Sequence, residues 1–192
     1  MSGLLSSGLD WLASPPSAPL RGLSARSPGA HALRCDGLAL EIWPGELRAR
    51  DLAAGAAERI AAVRALVPPG GVLARQSAVW ALTGLFRPTH LDVVLTGARR
   101  RSSRHVRIHA ERLAPADVVL LGRRAHTSPA RTAVDIARWS SAEDALRWLD
   151  ALDGRGLLRR DEVAASLERA LGSAGVVRAR GLLRPFVTPA AA

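Results

Sequence analysis

Apolar residues recur at helical spacing in the segment HTSPARTAVDIARWSS, which spans residues 126–141. Four small or apolar residues fall at positions i, i+3, i+4 and i+7, the spacing of one buried helix face: Ala130, Ala133, Val134 and Ala137. Ser128 is placed to cap this helix, and Pro129 takes its first position, where a missing N–H has no consequence. Arg131 and Asp135 lie one turn apart on another face, which predicts an ion pair worth roughly 0.3–0.5 kcal/mol.

Three further helices are predicted downstream of this segment. Ser140 and Glu143 have the spacing of a capping box and begin the second helix. Asp161 begins the third, and the fourth covers about residues 174–184 and ends at Pro185. These helices predict a C-terminal helical layer.

Shorter patterns dominate the first two thirds of the chain. A helix is predicted behind Asp51, and another short helix ends at Gly84, which has the position of a C′ glycine. Alternating or continuous apolar runs predict strands at residues 38–43, 72–74, 91–96, 105–112 and 117–125. The segment 97–104 between two of these runs is predicted to be a long hairpin tip or loop, and the apolar run DVVLLG is predicted to be buried.

Together these elements predict an α+β fold, with a small, mostly antiparallel sheet packed against the C-terminal helical layer. Residues 1–50 are interpreted as an irregular N-terminal arm or a degenerate winged-helix region. The α+β domain is expected to cover residues 51–187, and residues 188–192 form a tail.

The positive charge of the chain is concentrated in its middle. All 27 basic residues are arginine, which also fits a coding bias towards arginine, and the formal net charge is +10. Residues 1–67 and 140–192 each carry a formal charge of only +1, whereas residues 68–139 hold 12 arginines and 4 acids, for +8. A coding bias would spread the excess evenly, so the middle segment is where an anionic partner would be attracted.

Within this segment we predict a nucleic-acid-binding or anion-binding surface. Its candidate residues are Arg99, Arg100, Arg101, Arg104, Arg107, Arg123 and Arg124. Guanidinium groups suit such a surface because they bind phosphate and carboxylate groups through paired hydrogen bonds. The alternative is a solvated loop in an arginine-rich protein.

Motifs of catalysis and cofactor binding are not evident. The sequence has no nucleotide-binding glycine loop and no nucleophile elbow, and a nuclease site that needs lysine is excluded because the chain has none. We therefore expect no enzyme activity, no metal and no cofactor. A small hydrolase stays open only if the side chains of Asp92, His105, His109 and Asp117 converge. Trp80, Trp139 and Trp148 are interpreted as core residues rather than base-stacking residues.

The cysteine content and the apolar runs of the sequence indicate the cellular compartment. Its single cysteine, Cys35, cannot form an intrachain disulfide, which is typical of a reducing cytoplasm. We find no apolar run of about 18 residues and no pattern of a secretion signal. A cytoplasmic protein without a membrane partner is expected.

Three segments in order resemble the actinobacterial branch of the AbiEi family of antitoxins and transcriptional regulators. They are GGVLARQSAVWALTG with its Ser77-Ala78 pair, the basic stretch LDVVLTGARRRSSRHVRIHAERLAPADVV, and RRAHTSPARTAVDIARW. Their order and spacing match over about residues 68–155.

The resemblance implies an antitoxin of a type IV toxin–antitoxin system, whose partner is a toxin of nucleotidyltransferase type. It also implies DNA binding and autorepression through an N-terminal winged helix-turn-helix, although residues 1–50 show no clear three-helix unit. The expected function is a non-enzymatic antitoxin or regulator that contacts nucleic acid or an acidic partner through the arginine surface. The alternative is a protein-interaction module that does not bind DNA.

Overall fold

The computed structural model describes residues 27–50, 55–97, 102–121 and 124–187. It divides into two compact units, one within residues 1–54 and the other within residues 55–192. Both helices and sheets are present, and helices make up the C-terminal part, so the predicted α+β class is confirmed.

The first unit contains a helix and a β-hairpin. Helix α1 covers Pro28–Cys35, and the Ser27 hydroxyl caps it by accepting a hydrogen bond from the Ala30 amide. Strands β1 (Ala39–Trp43) and β2 (Glu46–Ala49) then pair antiparallel. A helix therefore stands where an irregular segment was expected. Asp51, the predicted helix cap, lies outside the described residues.

The second unit is built on a five-stranded sheet of order β5-β4-β3-β7-β6. Its strands are β3 (Val72–Leu73), β4 (Leu91–Val94), β5 (Val106–His109), β6 (Val118–Leu121) and β7 (Arg124–Thr127). The β3–β4 and β6–β7 pairs are antiparallel, whereas β3–β7 and β4–β5 are parallel. Strands β5 and β6 form the two edges.

The strand pairing differs from the expectation in three ways. The 38–43 run belongs to the separate hairpin of the first unit, so it does not join the main sheet. Strands β4 and β5 are parallel, so the segment 97–104 cannot be a hairpin tip. The 117–125 run divides into two strands that form a hairpin of their own. The main sheet is consequently mixed, because pairing direction depends on contacts that alternation along the chain does not encode.

Six α-helices of the second unit lie in the described ranges, besides a short 3-10 helix at Pro115–Asp117. They are α2 (Ala56–Ala62), α3 (Arg75–Thr83), α4 (Pro129–Trp139), α5 (Ala142–Asp153), α6 (Arg160–Arg169) and α7 (Val176–Val187). The predicted start of α4 is confirmed, because the Ser128 hydroxyl accepts a hydrogen bond from the Arg131 amide. The end of α3 is also as predicted, with Gly84 in the left-handed region at φ 77°.

Several helix boundaries were predicted wrongly. Helix α2 begins at Ala56, after Gly55, rather than directly behind Asp51, and α6 begins at Arg160 rather than at Asp161. Helix α5 is capped by Ser141, which accepts from the Asp144 amide, rather than by Ser140. Helix α7 continues through Pro185 to Val187. A proline near the C-terminus of a helix disturbs only the preceding turn, so the helix does not have to end there.

The main core lies among helices α3 to α7. Its largest fully buried side chains include Ile136, Leu149, Leu152 and Leu183. Trp80 and Trp148 are buried as predicted, with 2% and 8% of their surfaces exposed, whereas Trp139 is 44% exposed. The apolar run of β6 is also more exposed than predicted, since Leu120 on this edge strand is 69% exposed.

None of the helices in the described ranges has the length and apolar character needed to span a membrane.

Candidate nucleic-acid interface

Three exposed arginines of the middle segment lie along edge strand β5. Arg104 precedes the strand, Arg107 lies on it, and Arg112 follows it; all three are exposed. None of the three forms an ion pair within the described part of the chain. This row of three guanidinium groups, which we call the β5-edge arginines, is free to contact an anion from outside.

The other predicted site residues divide into two groups. Arg99, Arg100, Arg101 and Arg123 lie outside the described residues. Arg124 is half-buried at the start of β7, and strands β4 and β3 separate it from β5. Three strand spacings amount to about 14 Å. Arg124 is therefore not part of the β5 edge, and its role in binding an anion stays a prediction.

The acids of the middle segment are engaged elsewhere. The segment 68–139 holds only four: Asp92, Glu111, Asp117 and Asp135. Asp92 contacts His109, with 2.8 Å between the carboxylate oxygen and Nε2. The other three bind arginines of the interior. The excess positive charge of the segment is therefore not neutralised at the β5 edge by these four carboxylates.

Asp117 is the first centre of a buried charge cluster. It lies immediately before β6 and is 1% exposed. One carboxylate oxygen accepts from Arg169 at the end of α6, with contacts of 2.6 Å and 3.0 Å. The other accepts from Arg131 of α4 at 3.2 Å. Asp117 thus links the start of an edge strand to two helices.

Asp135 is the second centre of this cluster and is fully buried. Its two oxygens accept from Nε of Arg131 at 2.9 Å and 3.0 Å, and Arg138 donates to it at 3.2 Å. Arg138 and Arg131 also contact Glu111, which follows β5, at 2.7 Å and 3.0 Å. Each carboxylate of the cluster therefore binds at least one guanidinium group, which is the condition for burying ions, and Oε2 of Glu111 is the one cluster oxygen that is buried without a hydrogen-bond partner in the described structure.

The pKa shifts show how the cluster keeps its charges. Burial alone would lower the pKa of Arg131, but the combined attraction of Asp135, Glu111 and Asp117 raises it instead. Burial raises the pKa of the Asp135 carboxyl, and the guanidinium groups oppose this effect. The pKa of Asp135 is raised overall, because burial outweighs the attraction of its arginine partners.

Sequence reasoning missed this cluster. It identified the Arg131–Asp135 pair, but it assigned the energy of an exposed pair. A usable signal was present, because Arg131, Asp135 and Arg138 recur at i, i+4 and i+7 with alternating charge, as an inward-facing stripe would. Helix α4 therefore buries two faces, one apolar and one ionic.

The residues of the open hydrolase interpretation do not converge. Asp92 and His109 are in contact, but His105 is exposed and Asp117 is bound by arginines and by Ser166. A catalytic site would need these groups around one reacting atom. The described residues also contain no cluster of three or more His, Cys, Asp or Glu side chains that could hold a metal ion.

A second surface feature combines an aromatic ring with arginine. Trp139, the last residue of α4, has the guanidinium carbons of Arg75 and Arg138 at 5.1 Å and 5.0 Å from its ring centroid. These are cation–π distances. Because Trp139 is 44% exposed, its prediction as a core residue was wrong. A helix-terminal position leaves one side of a large ring open even when the preceding turn is buried.

Comparison of the chain with protein-family models and with curated proteins finds no match. Membership of the AbiEi family therefore stays a prediction from the ordered sequence motifs. The geometry and charge of the chain are the remaining guides to its function.

Proposed function

We propose that this chain is a cytoplasmic, non-enzymatic regulatory protein of the antitoxin type that binds the phosphate backbone of nucleic acid. The β5-edge arginines make the contact. One observation carries the proposal: the four acids of the +8 segment bind His109 and interior arginines, whereas Arg104, Arg107 and Arg112 are exposed and unpaired in the described structure.

The chemistry of this edge suits phosphate better than a neutral ligand. Each guanidinium group presents paired donors that match two phosphate oxygens. Neighbouring cations repel one another, and an anionic strand relieves that repulsion while it releases condensed counterions. Contacts of this kind bind nucleic acid without reading its sequence.

The first unit contributes less attraction for nucleic acid. Its described residues 27–50 hold three arginines and three acids, so their formal charge is zero. A winged-helix region in this part of the chain would therefore lack the electrostatic component of non-specific binding. For this reason we place the main contact at the β5 edge. A toxin of nucleotidyltransferase type, which the family resemblance implies, is the expected partner protein.

The proposal is tested by fluorescence anisotropy with a labelled DNA duplex, between about 50 and 200 mM salt. The double variant Arg104→Gln/Arg107→Gln removes two contacts. For duplex DNA the slope of log K against log salt should fall by about 1.8, since each phosphate contact contributes about 0.9. Affinity at low salt should fall as well.

A matched control is available on the C-terminal helices. Arg159→Gln/Arg180→Gln removes the same formal charge from residues that are 69% and 53% exposed but already paired with acids. This control should keep the slope of the unmodified protein. If both double variants change binding equally, or if the unmodified protein does not bind, the β5 edge has no special role and the proposal is wrong.

A protein-interaction module is the second candidate, and one observation favours it. Strand β6 is the other edge of the sheet, and it exposes 38% of Val119 and 69% of Leu120. An apolar edge strand can pair with a strand of another protein. This candidate predicts no DNA binding at physiological salt and a stable complex with a co-expressed toxin, which Leu120→Lys disrupts.

A further inference from the structure

We propose that Arg75, held against Trp139, is a second phosphate-binding position for the nucleic-acid backbone. This inference rests on the proposed function and names a further contact residue for it. Arg75 is the first residue of helix α3, and Trp139 is the last residue of helix α4. Neither residue belongs to the β5-edge arginines.

The side chain of Arg75 is positioned without an anionic partner. It is half-buried, and burial lowers its pKa. Its Nε atom is buried and has no hydrogen-bond partner, and Arg75 forms no ion pair with any described residue. A partly desolvated guanidinium group without an acceptor is unfavourable, so the free protein leaves its bonding capacity unused.

No nearby carboxylate of the described residues is hydrogen-bonded to Arg75, and Oε2 of Glu111 is buried without a hydrogen-bond partner of its own. Asp135, Asp92 and Glu111 are close enough to attract Arg75 electrostatically, but each is hydrogen-bonded to another side chain. The buried cluster is balanced without Arg75, since Arg131, Arg138 and Arg169 match Glu111, Asp117 and Asp135 in number. Arg75 is therefore the surplus positive charge next to this cluster.

Trp139 keeps the surplus guanidinium group in one place. The ring centroid is 5.1 Å from the guanidinium carbon, and the ring is 44% exposed. An arginine held over an indole by a cation–π contact loses less rotamer freedom when it binds phosphate, because its side chain is already restrained. The indole thus preorganises the donor at the surface.

The backbone at Arg75 is strained in a way that fits a functional position. Its φ angle is 51°, in the left-handed region that non-glycine residues rarely adopt. The helix it begins has no side-chain cap, so the amides of the first turn add partial positive charge beside the guanidinium group. Strain of this kind persists where the surrounding structure enforces it, and often at binding sites.

A nucleic-acid phosphate is the occupant that these observations favour. The middle segment that contains Arg75 carries a formal charge of +8, and its β5-edge arginines would bring a polyanion to the same unit. A carboxylate of a partner protein has similar geometry, but it would not share the salt dependence of a bound polyelectrolyte. The two occupants can therefore be separated by the experiment.

The experiment measures anisotropy of a fluorescein-labelled duplex over the same salt range with the variants Arg75→Gln, Arg75→Lys and Trp139→Leu. Arg75→Gln should weaken binding about tenfold and lower the salt slope by about 0.9. Arg75→Lys should keep the slope, because it keeps the charge, but should lose affinity because lysine does not bind in pairs or stack. Trp139→Leu should weaken binding with an unchanged slope.

Arg147→Gln is the matched control, because Arg147 also lies over an aromatic ring, at 5.1 Å from the centroid of Phe86, but is exposed and paired with Asp144. It should bind like the unmodified protein. Thermal unfolding of each variant verifies that it folds. If Arg75→Gln folds and binds normally while Arg104→Gln/Arg107→Gln binds weakly, this inference is wrong and the proposed function stands. If Arg75→Gln weakens binding without lowering its salt slope, this inference is also wrong, and an unmodified protein that does not bind the duplex would overturn both proposals.

Discussion

Replacement of Asp135 with asparagine tests whether the buried charge cluster stabilises the fold. Asp135 is fully buried and accepts hydrogen bonds from Arg131 and Arg138 at 2.9 Å to 3.2 Å. Asparagine has nearly the same volume and keeps one acceptor oxygen. The variant therefore removes one negative charge and one acceptor without creating a cavity.

The expected decrease in the free energy of unfolding depends on the anionic partners that Arg131 and Arg138 keep in the variant. Arg131 and Arg138 would keep only Glu111 and Asp117 as anionic partners, and solvent cannot replace the lost carboxylate because both arginines are 5% exposed. Removing one member of a buried ion pair lowers the free energy of unfolding by about 3–5 kcal/mol. Because asparagine keeps an acceptor, we expect a value of about 3 kcal/mol, which is a large part of the roughly 5–15 kcal/mol of a typical domain.

The assay is urea unfolding, followed by tryptophan fluorescence and circular dichroism. The midpoint should fall while the m-value stays constant, and the melting temperature should fall by roughly 6–12 °C. Glu168→Gln is the matched control, because Glu168 also accepts from an arginine at 3.0 Å but is 63% exposed. Its effect should stay below about 1 kcal/mol.

The comparison of these two variants decides the question. If Asp135→Asn and Glu168→Gln lower the free energy of unfolding equally, the buried ion pairs stabilise the fold no more than an exposed ion pair does. The ionic face of α4 would then be a tolerated feature of the interior and would not stabilise it. A change of m-value in Asp135→Asn alone would indicate a different unfolded or native ensemble and would also refute the reasoning.

Three further predictions concern single positions. Burial lowers the pKa of His126 below its ordinary value of about 6.5, so on acidification the unfolded chain is protonated before the folded protein. The free energy of unfolding should therefore be highest above a pH of about 6.5 and should decrease as the pH falls from about 6.5 towards the folded pKa. His126→Asn should flatten this decrease, which urea unfolding midpoints measured across pH would show. Ser128→Ala removes the cap of α4 and should lower the free energy of unfolding by about 1 kcal/mol, measured by urea unfolding. Gly84→Ala should lower it by more than about 1 kcal/mol in the same assay, because φ is 77° and the new Cβ would lie 3.0 Å from Nη1 of Arg59.

Local signals in the sequence predicted local structure well. Ser128 and Pro129 mark the start of α4, and Gly84 marks the end of α3, because caps and left-handed residues depend on neighbours within one turn. The apolar stripe of α4 is buried as its spacing predicted. The start of α5 was misplaced by one residue because Ser140 and Ser141 both precede an acid by three positions.

Strand pairing and burial could not be predicted in the same way. Strands β4 and β5 lie close in the sequence, yet they pair in parallel, and alternation along a strand is identical for both directions. Leu120 lies in an apolar run that is typical of a central strand, but its strand forms an edge of the sheet. Such outcomes depend on which elements become neighbours, and a single sequence does not reveal that.

The candidate site, too, could be predicted only in part from the sequence. The +8 segment was visible in the sequence, but its division between an ionic interior and an arginine edge was not. That division arises because Asp117 contacts Arg131 and Arg169, which follow it by 14 and 52 residues. The partners of each carboxylate are thus set by the packing of helices on the sheet.

The division of charge also connects stability with function. Buried carboxylates must be matched by guanidinium groups, so Arg131, Arg138 and Arg169 are committed to the interior and are not available to a ligand. Because the four acids of the middle segment are likewise engaged, the exposed side chains of Arg104, Arg107 and Arg112 keep their charge towards solvent. A variant that frees a buried arginine, such as Asp135→Asn, should therefore lower stability without strengthening nucleic-acid binding. A gain in affinity in that variant would show that the interior and the surface are not electrostatically separate.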